Sequence, residues 1–80
     1  MTLSSLIESR YGISPVATCD PIYVAWATDI FAAQAGAVEA VRQLRALNRK
    51  RERFGTMPYY PAHYLAPNSD TPVNRAYYAR

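Results

Sequence analysis

The chain has 80 residues, with nine Lys or Arg against six Asp or Glu, and a formal net charge of +3. This length has room for one small domain at most, and such a domain usually needs a disulfide, a metal or a partner to be stable. The single cysteine excludes an internal disulfide, and one cysteine with one histidine is too few for a structural zinc site with its roughly four ligands. Oligomerisation or docking is the support that remains.

The first predicted element is a helix of about two turns, from roughly Leu3 to Tyr11. Ser5 and Glu8 have the form of a capping box, although Thr2 is a rival N-cap. Gly12 follows and can adopt the left-handed conformation that ends many helices. Residues at helical spacing form the stripe that this helix buries, namely Leu3, Leu6, Ile7 and Tyr11.

A single long helix is predicted over residues 21–54. Asp20 can cap its first turn, and Pro21 is tolerated at the first helical position because its missing donor has no partner there. Gly55 supplies the C-terminal cap, Pro58 prevents continuation, and no proline interrupts the segment between. At ~1.5 Å per residue such a helix is about 50 Å long, which is more than a small independent domain can span.

The apolar surface of this predicted helix is too wide for one covered face. Apolar residues occupy more than half of its circumference as far as Val41, whereas one buried face needs a stripe of only about 100°. Small residues surround Gly36, whose low helix propensity indicates either tolerance or a close crossing with another helix. We therefore expect contacts with partners on more than one side, through Tyr23, Trp26, Ile30, Phe31, Ala37, Val38 and Leu44.

The C-terminal half of the predicted helix is basic, since six Lys or Arg and one Glu lie between positions 42 and 53. Three interpretations stay open: contacts with nucleic-acid phosphates, pairing with acidic residues of a neighbouring subunit, or a solvated helix end favoured by the helix dipole. No aromatic residue lies between these cations before Phe54, which argues against a stacking platform for single strands. The candidate contacts are Arg42, Arg45, Arg49, Lys50 and Arg53.

Beyond the long helix, residues 56–80 are predicted to form an extended arm without regular structure. Four prolines punctuate this segment, and neither a helical nor an alternating period survives. Tyrosine supplies a large contact area at low entropy cost and is common at interfaces. We therefore expect the arm to become ordered on a partner, with Tyr59, Tyr60, Tyr64, Tyr77 and Tyr78 as contacts. The resulting organisation is all-α, with a helical segment over 1–55 and an interaction arm over 56–80.

Catalytic, cofactor and metal sites are not expected in this chain, which we predict not to be an enzyme. His63 lies within the arm without an adjacent acid, so a solvent-facing or interface role is favoured over that of a general base. Cys19 precedes a helix N-terminus, where a thiolate is favoured, but a small buried residue is the more common role. The three glycines are isolated and form no phosphate-binding loop.

A membrane span is a weaker alternative. Residues 22–41 have the length of one span, with Trp26 near one end and the basic run after the other. However, Asp29 and Glu39 fall inside the segment, and a central acid costs about 2.5–3.5 kcal/mol on insertion scales. No signal peptide is visible at the N-terminus.

These features predict a non-enzymatic structural or assembly subunit of a large multiprotein particle. Its partners would be other protein subunits and copies of itself, held by the long helix and clamped by the arm. By analogy of architecture, the specific hypothesis is a bacteriophage virion protein of the capsid, neck or tail, assembled in the host cytoplasm, and otherwise a cytoplasmic location is expected. The alternatives are a nucleic-acid-binding accessory protein that uses the basic run and a small single-span subunit of a membrane complex.

Overall fold

The computed structural model describes residues 1–17, 20–64 and 70–79 of the chain. These residues contain no strand and form five helices, which are α1 (Leu3–Tyr11), α2 (Pro21–Ala35), α3 (Ala37–Phe54), α4 (Pro61–Tyr64) and α5 (Pro72–Tyr78). The predicted all-α class is therefore confirmed.

Helix α1 has the bounds that the sequence predicts. Thr2 is its N-cap: the Thr2 hydroxyl accepts from the Ser5 amide at 3.1 Å, and the Ser5 hydroxyl oxygen accepts from the Thr2 amide at 3.0 Å. The capping box thus uses Thr2 and Ser5 instead of the predicted Ser5 and Glu8. At the other end, Gly12 has a left-handed φ of 69° and donates its amide to the Glu8 carbonyl.

The prediction of one long helix is wrong, because the chain turns at Gly36 and continues as a separate helix. Gly36 has φ 94° and ψ 153°, a backbone conformation that is essentially restricted to glycine. Its amide still donates to the Ala32 carbonyl at 2.8 Å, and its carbonyl accepts from the Ala40 amide at 3.0 Å, so one residue ends α2 and begins α3. The longest dimension of the molecule is 27 Å, about half the length of the predicted rod.

Burial of apolar surface favours the turn. Folding α2 back against α3 covers apolar faces of both helices inside one chain, and burial of one large apolar side chain contributes about 1.5–3 kcal/mol. A helical hydrogen bond lost at the turn is worth only about 0.5–1.5 kcal/mol. The shared core contains Leu3 and Ile7 of α1, Val24 and Phe31 of α2, Leu44 and Leu47 of α3, Tyr59, and Val73 of α5.

The chain covers this core with its own residues. Its accessible surface is 4911 Å², against about 4,900 Å² expected for a folded monomer of this size. Its radius of gyration is 11.4 Å, against about 11.6 Å for a compact chain of this length. The chain is thus as compact as a folded monomer of its length.

The predicted extended arm is not confirmed, because it contains helices and contributes a core residue. Helix α5 packs against α2, α3 and α4, and Tyr59, which lies between α3 and α4, is only 2% exposed. Thr71 caps α5 by accepting from the Asn74 amide at 3.2 Å, and Pro72 occupies the first helical position. Described residues on both sides of position 55 therefore share one core.

Two polar side chains of α3 hold the segment before α4 in place. The Asn48 amide oxygen accepts from the Tyr59 amide at 2.7 Å, and Asn48 Nδ2 donates to the Tyr59 carbonyl. Arg51 Nε donates to the Met57 carbonyl at 2.8 Å, while its Nη1 donates to the Pro15 carbonyl at 2.8 Å and to the Tyr59 hydroxyl at 2.9 Å. Asn48 and Arg51 are each 5% exposed, so these bonds join the connection after α1 to the connection after α3 inside the fold.

Candidate interaction surfaces

Helix α2 keeps an outer face that the rest of the chain leaves uncovered. This apolar face comprises Ile22, Tyr23, Trp26, Ile30 and Ala33. Trp26 is 52% exposed and Ile22, one turn earlier, is 46% exposed. Ala33 is also exposed, while Tyr23 and Ile30 are half-buried along the edge. Spacings of three and four residues place these side chains on one side of the helix.

Aromatic rings brace one end of the apolar face. The Tyr11 ring of α1 stacks on the Tyr23 ring, with centroids 5.2 Å apart and planes 5° apart. The Tyr23 ring then meets the Trp26 ring at 5.9 Å and 42°. Because neighbouring rings restrict the indole, Trp26 has less conformational entropy to lose when another molecule covers it.

One acid accompanies the apolar face. Asp29 is the only charged residue in the sequence of α2, Pro21–Ala35. Its side chain is exposed, yet partial burial raises the pKa of its carboxyl. It makes no ion pair within the described part of the chain. A carboxylate in this position can form an ion pair with a cationic side chain of another molecule.

The outer side of α3 carries a row of cations that we call the arginine stripe, which comprises Arg42, Arg45, Arg49 and Arg53. All four are exposed, and at ~100° per residue they lie within about 80° of arc. The first three border a groove between α3 and α5, whose apolar lining is Val38, Val41 and Ala76. Arg49 and Arg53 border a second depression together with Glu52.

Helix α5 places aromatic rings beside the arginine stripe. Arg45 Nη2 donates to the Tyr77 carbonyl at 2.6 Å, and the Arg45 guanidinium lies 5.0 Å from the Tyr77 ring centroid. Burial raises the pKa of the Tyr77 phenol, to whose oxygen Asn48 donates at 3.2 Å. Tyr78 is 51% exposed and meets Tyr77 nearly edge to face at 5.1 Å. Tyr77 is thus held from several sides, and Tyr78 offers a ring to solvent.

The predicted interface residues separate into three groups. Those exposed are Trp26, Val38 and Tyr78, and those half-buried are Tyr23, Ile30, Ala37, Tyr60 and Tyr77. Those in the core are Phe31, Leu44 and Tyr59, while the Tyr64 side chain lies outside the described residues. The predicted basic contact Lys50 is exposed, but it lies about a quarter turn from the centre of the arginine stripe.

Sequence reasoning missed two features of these surfaces. Ile22 is not among the predicted interface residues, although helical spacing puts it opposite the buried side of α2. Arg51 was counted in the basic run, yet it follows Leu44 and Asn48 at spacings of seven and three residues, on the inward side of α3. That spacing was the available signal for a buried Arg.

Only some of the residues considered for catalysis or metal binding lie in the described part of the chain. Within them, no three His, Cys, Asp or Glu side chains lie close enough together to hold a metal ion. Cys19 and the side chain of His63 lie outside the described residues, so their expected roles stay predictions, as does the expected absence of catalytic and cofactor sites. None of the described helices is both long and apolar enough to cross a membrane.

No family model, curated protein or solved structure matches this chain. The basis for a functional proposal is therefore the geometry of the apolar face and the arginine stripe.

Proposed function

We propose that this chain is a non-enzymatic protein-interaction subunit, which docks onto a different protein of a larger assembly through the apolar face. The observation that carries this proposal is the half-exposed Trp26, one turn from the similarly exposed Ile22 and braced by stacked tyrosines. Tryptophan is among the residues that most often dominate the energy of protein interfaces.

The apolar face differs from scattered surface hydrophobics. Single exposed apolar residues are normal, but a helix that is apolar on every side is usually covered on every side. Helices α1, α3, α4 and α5 cover much of α2, and the remaining side stays open. Covering the open half of Trp26 would remove about 100 Å² from water, which contributes roughly 2.5 kcal/mol to binding.

Asp29 favours a different protein over a second copy as the partner. A symmetric dimer through the apolar face would place two copies of Asp29 at the edge of one interface, at a cost, because α2 carries no cation to pair with either carboxylate. A partner with an apolar surface and a Lys or Arg opposite Asp29 avoids that cost and satisfies the acid. The proposed partner surface is therefore apolar with a basic residue at one edge, opposite Asp29.

The identity of the larger assembly is a separate question. The hypothesis of a bacteriophage virion rested on a long helix and an extended arm, and the fold has a turn at Gly36 and a short helix α5 in their place. The docking surface and the class of partner are therefore proposed from the fold, whereas the virion stays a sequence-based hypothesis.

Photo-crosslinking from two exposed positions tests the proposal. p-Benzoylphenylalanine replaces Trp26 in one variant and Phe54, which is 63% exposed at the end of α3, in the other. Both variants are expressed in the native cells, irradiated and analysed by mass spectrometry. We expect a discrete adduct with a different protein from position 26 and none from position 54. Equal adducts from both positions, or adducts only between copies of this chain, would overturn the proposal.

The crosslinked protein then allows a quantitative measurement. Trp26→Ser should weaken its binding at least about 30-fold, since an interface anchor contributes about 2 kcal/mol or more. The control Phe54→Ser removes a comparable exposed ring and should leave affinity within about threefold. Unchanged affinity of the Trp26→Ser variant would assign the contact to another surface.

A further inference from the structure

We propose that the arginine stripe and the adjoining rings of α5 form a binding site for single-stranded nucleic acid. The stripe lies on α3 and shares no residue with the apolar face on α2, so this proposal is independent of the proposed docking function. Its residues are Arg42, Arg45, Arg49, Arg53, Tyr77 and Tyr78.

The helix dipole does not account for the stripe. A dipole favours cations in the last turn of a helix, which is where Arg53 lies. Because the turn at Gly36 makes α3 begin at Ala37, Arg42 and Arg45 fall in the first half of this helix. The dipole gives those two cations no stabilisation, since its effect falls off within the terminal turn.

Apart from Arg45, which donates to the Tyr77 carbonyl, the fold gains little from the stripe. Arg45, Arg49 and Arg53 follow one another at four-residue spacing, and like charges at that spacing destabilise a helix. Among the described residues, the stripe makes one ion pair, between Arg42 and Glu39 at 3.3 Å. A surface arrangement that opposes stability is expected where a ligand requires it.

The chemistry of the stripe matches a phosphate backbone. All four cations are Arg, whose planar set of donors binds a phosphate through two parallel hydrogen bonds. Arg42 and Arg53 are 11 positions apart, which is about 16 Å along the helix. At ~3.4 Å per nucleotide of a stacked strand, this length corresponds to about five phosphates.

The rings of α5 favour a single strand over a duplex or an acidic protein. Bases of a single strand can stack on an exposed aromatic ring, as Tyr78 provides, whereas bases in a duplex are already stacked on each other. Arg45 and Asn48 hold Tyr77, against which Tyr78 rests, so the platform is fixed before binding. The groove that Arg42, Arg45 and Arg49 border is closed on its other side by Ala76 of α5, the residue before Tyr77.

Fluorescence anisotropy with a labelled oligothymidylate of about 20 nucleotides tests the site across a range of salt concentrations. Four phosphate contacts predict a slope of log affinity against log salt near −3, at about −0.7 per contact. Arg49→Gln with Arg53→Gln should reduce the slope by about 1.4 and weaken binding at least tenfold at about 50 mM salt. Tyr78→Ser should weaken binding about 5- to 150-fold and leave the slope unchanged.

The control variant removes a positive charge from an exposed position on another helix. Arg10→Gln on α1 should keep affinity within about threefold, because this side chain does not lie in the stripe. All these positions are exposed, so circular dichroism should show an intact fold in each variant. Arg45 is left unchanged because it bonds to Tyr77.

Three results would overturn the proposal. One is an absence of oligothymidylate binding at about 50 mM salt, where phosphate contacts are strong. Another is equal binding of poly-glutamate together with insensitivity to Tyr78→Ser, which would assign the stripe to an acidic protein. The third is tighter binding of a duplex than of the single strand, which would exclude base stacking as the source of affinity.

Discussion

The Arg51 guanidinium lies 3.7 Å from the centre of the Tyr59 ring and also donates to the Tyr59 hydroxyl at 2.9 Å. Within the described residues this buried cation makes no ion pair, and its partners are the ring, the hydroxyl and backbone carbonyls. One of those carbonyls belongs to Pro15, 36 positions away along the chain. A buried charge without hydrogen bonds is costly, so the folded chain must supply all of these acceptors together. The guanidinium thereby joins the connection after α1 to the connection after α3.

Replacement of Arg51 with Met should destabilise the fold by about 2–4 kcal/mol, since the carbonyls of Pro15 and Met57 and the Tyr59 hydroxyl lose their donor. For a domain of this size, the melting temperature should fall by more than about 10 °C. Thermal unfolding followed by circular dichroism measures the change. Arg51→Lys should lose most of the same stability, because one ammonium cannot reproduce the planar set of donors.

The control for this prediction is Arg49→Met, which changes an exposed Arg of the same helix. It should alter stability by no more than about 0.5 kcal/mol. If the Arg51→Met variant melts together with the Arg49→Met variant, the buried guanidinium contributes nothing net to folding.

Local chemistry was enough to predict several helix ends, but not the ends at Gly36 or the helices α4 and α5. Thr2 and Gly12 bound α1, Asp20 caps α2 by accepting from the Ile22 amide at 2.9 Å, and Gly55 ends α3 with a left-handed φ of 87°. These features depend on hydrogen bonds between residues a few positions apart, so the residue types that form them can be recognised in the sequence. Helical spacing is also a local property, so the residues of the arginine stripe and Trp26 could be proposed as contacts from the sequence alone.

Features that depend on distant contacts could not be predicted in this way. A glycine inside a helical pattern is compatible with a continuous helix or with a turn, and only the packing of α2 on α3 decides between them at Gly36. The sequence places Tyr59 in an irregular segment, and only the folded chain shows that Asn48 and Arg51 hydrogen-bond to it. The approach of Tyr77 to Arg45, 32 positions apart, likewise requires the folded chain.

Gly36→Ala should disrupt the turn between α2 and α3. A Cβ at this position meets no atom within 4 Å, so the effect comes from the backbone conformation and not from a clash. The strained φ and ψ cost about 1–3 kcal/mol for a non-glycine residue, and alanine favours a continuous helix by about 1 kcal/mol. A straightened α2–α3 helix exposes core surface that a second copy can cover by exchange of segments.

Sedimentation and small-angle scattering test this outcome. The Gly36→Ala variant should form a dimer with a radius of gyration well above 11.4 Å. Gly12→Ala is the control, because Gly12 also has a positive φ and open space around it but connects two helices through a longer segment. It should lose some stability and remain a monomer. A compact monomer with wild-type melting for Gly36→Ala would show that the turn is not under strain.

Tyr59→Ser should lower stability by about 3–5 kcal/mol, as expected when a buried aromatic side chain is replaced by a small one. Loss of the ring also removes the surface on which the Arg51 guanidinium lies. Far-UV circular dichroism during urea unfolding measures the effect. Tyr78→Ser, at a half-exposed position, should change stability by no more than about 0.5 kcal/mol. Equal stability of the two variants would mean that the segment after α3 is an external arm.

Asp29→Asn should stabilise the fold at neutral pH, and the gain should disappear in acid. Burial raises the pKa of the Asp29 carboxyl above its ordinary 3.8, so the folded chain binds this proton more tightly than the unfolded chain does. The protonated carboxyl therefore stabilises the fold relative to the carboxylate, fully below pH 3.8, and this contribution is lost as the pH rises through the pKa of the folded state. The amide of the Asn variant does not titrate, so its stability has no such dependence. Because the side chain is mostly exposed, the difference in melting temperature should be small.

Thermal unfolding of both proteins should give a higher melting temperature for the variant at about pH 7 and equal temperatures at about pH 3. A lower melting temperature for the variant at neutral pH would show that the carboxylate is stabilised by the fold, and the argument for a cationic partner opposite it would fail.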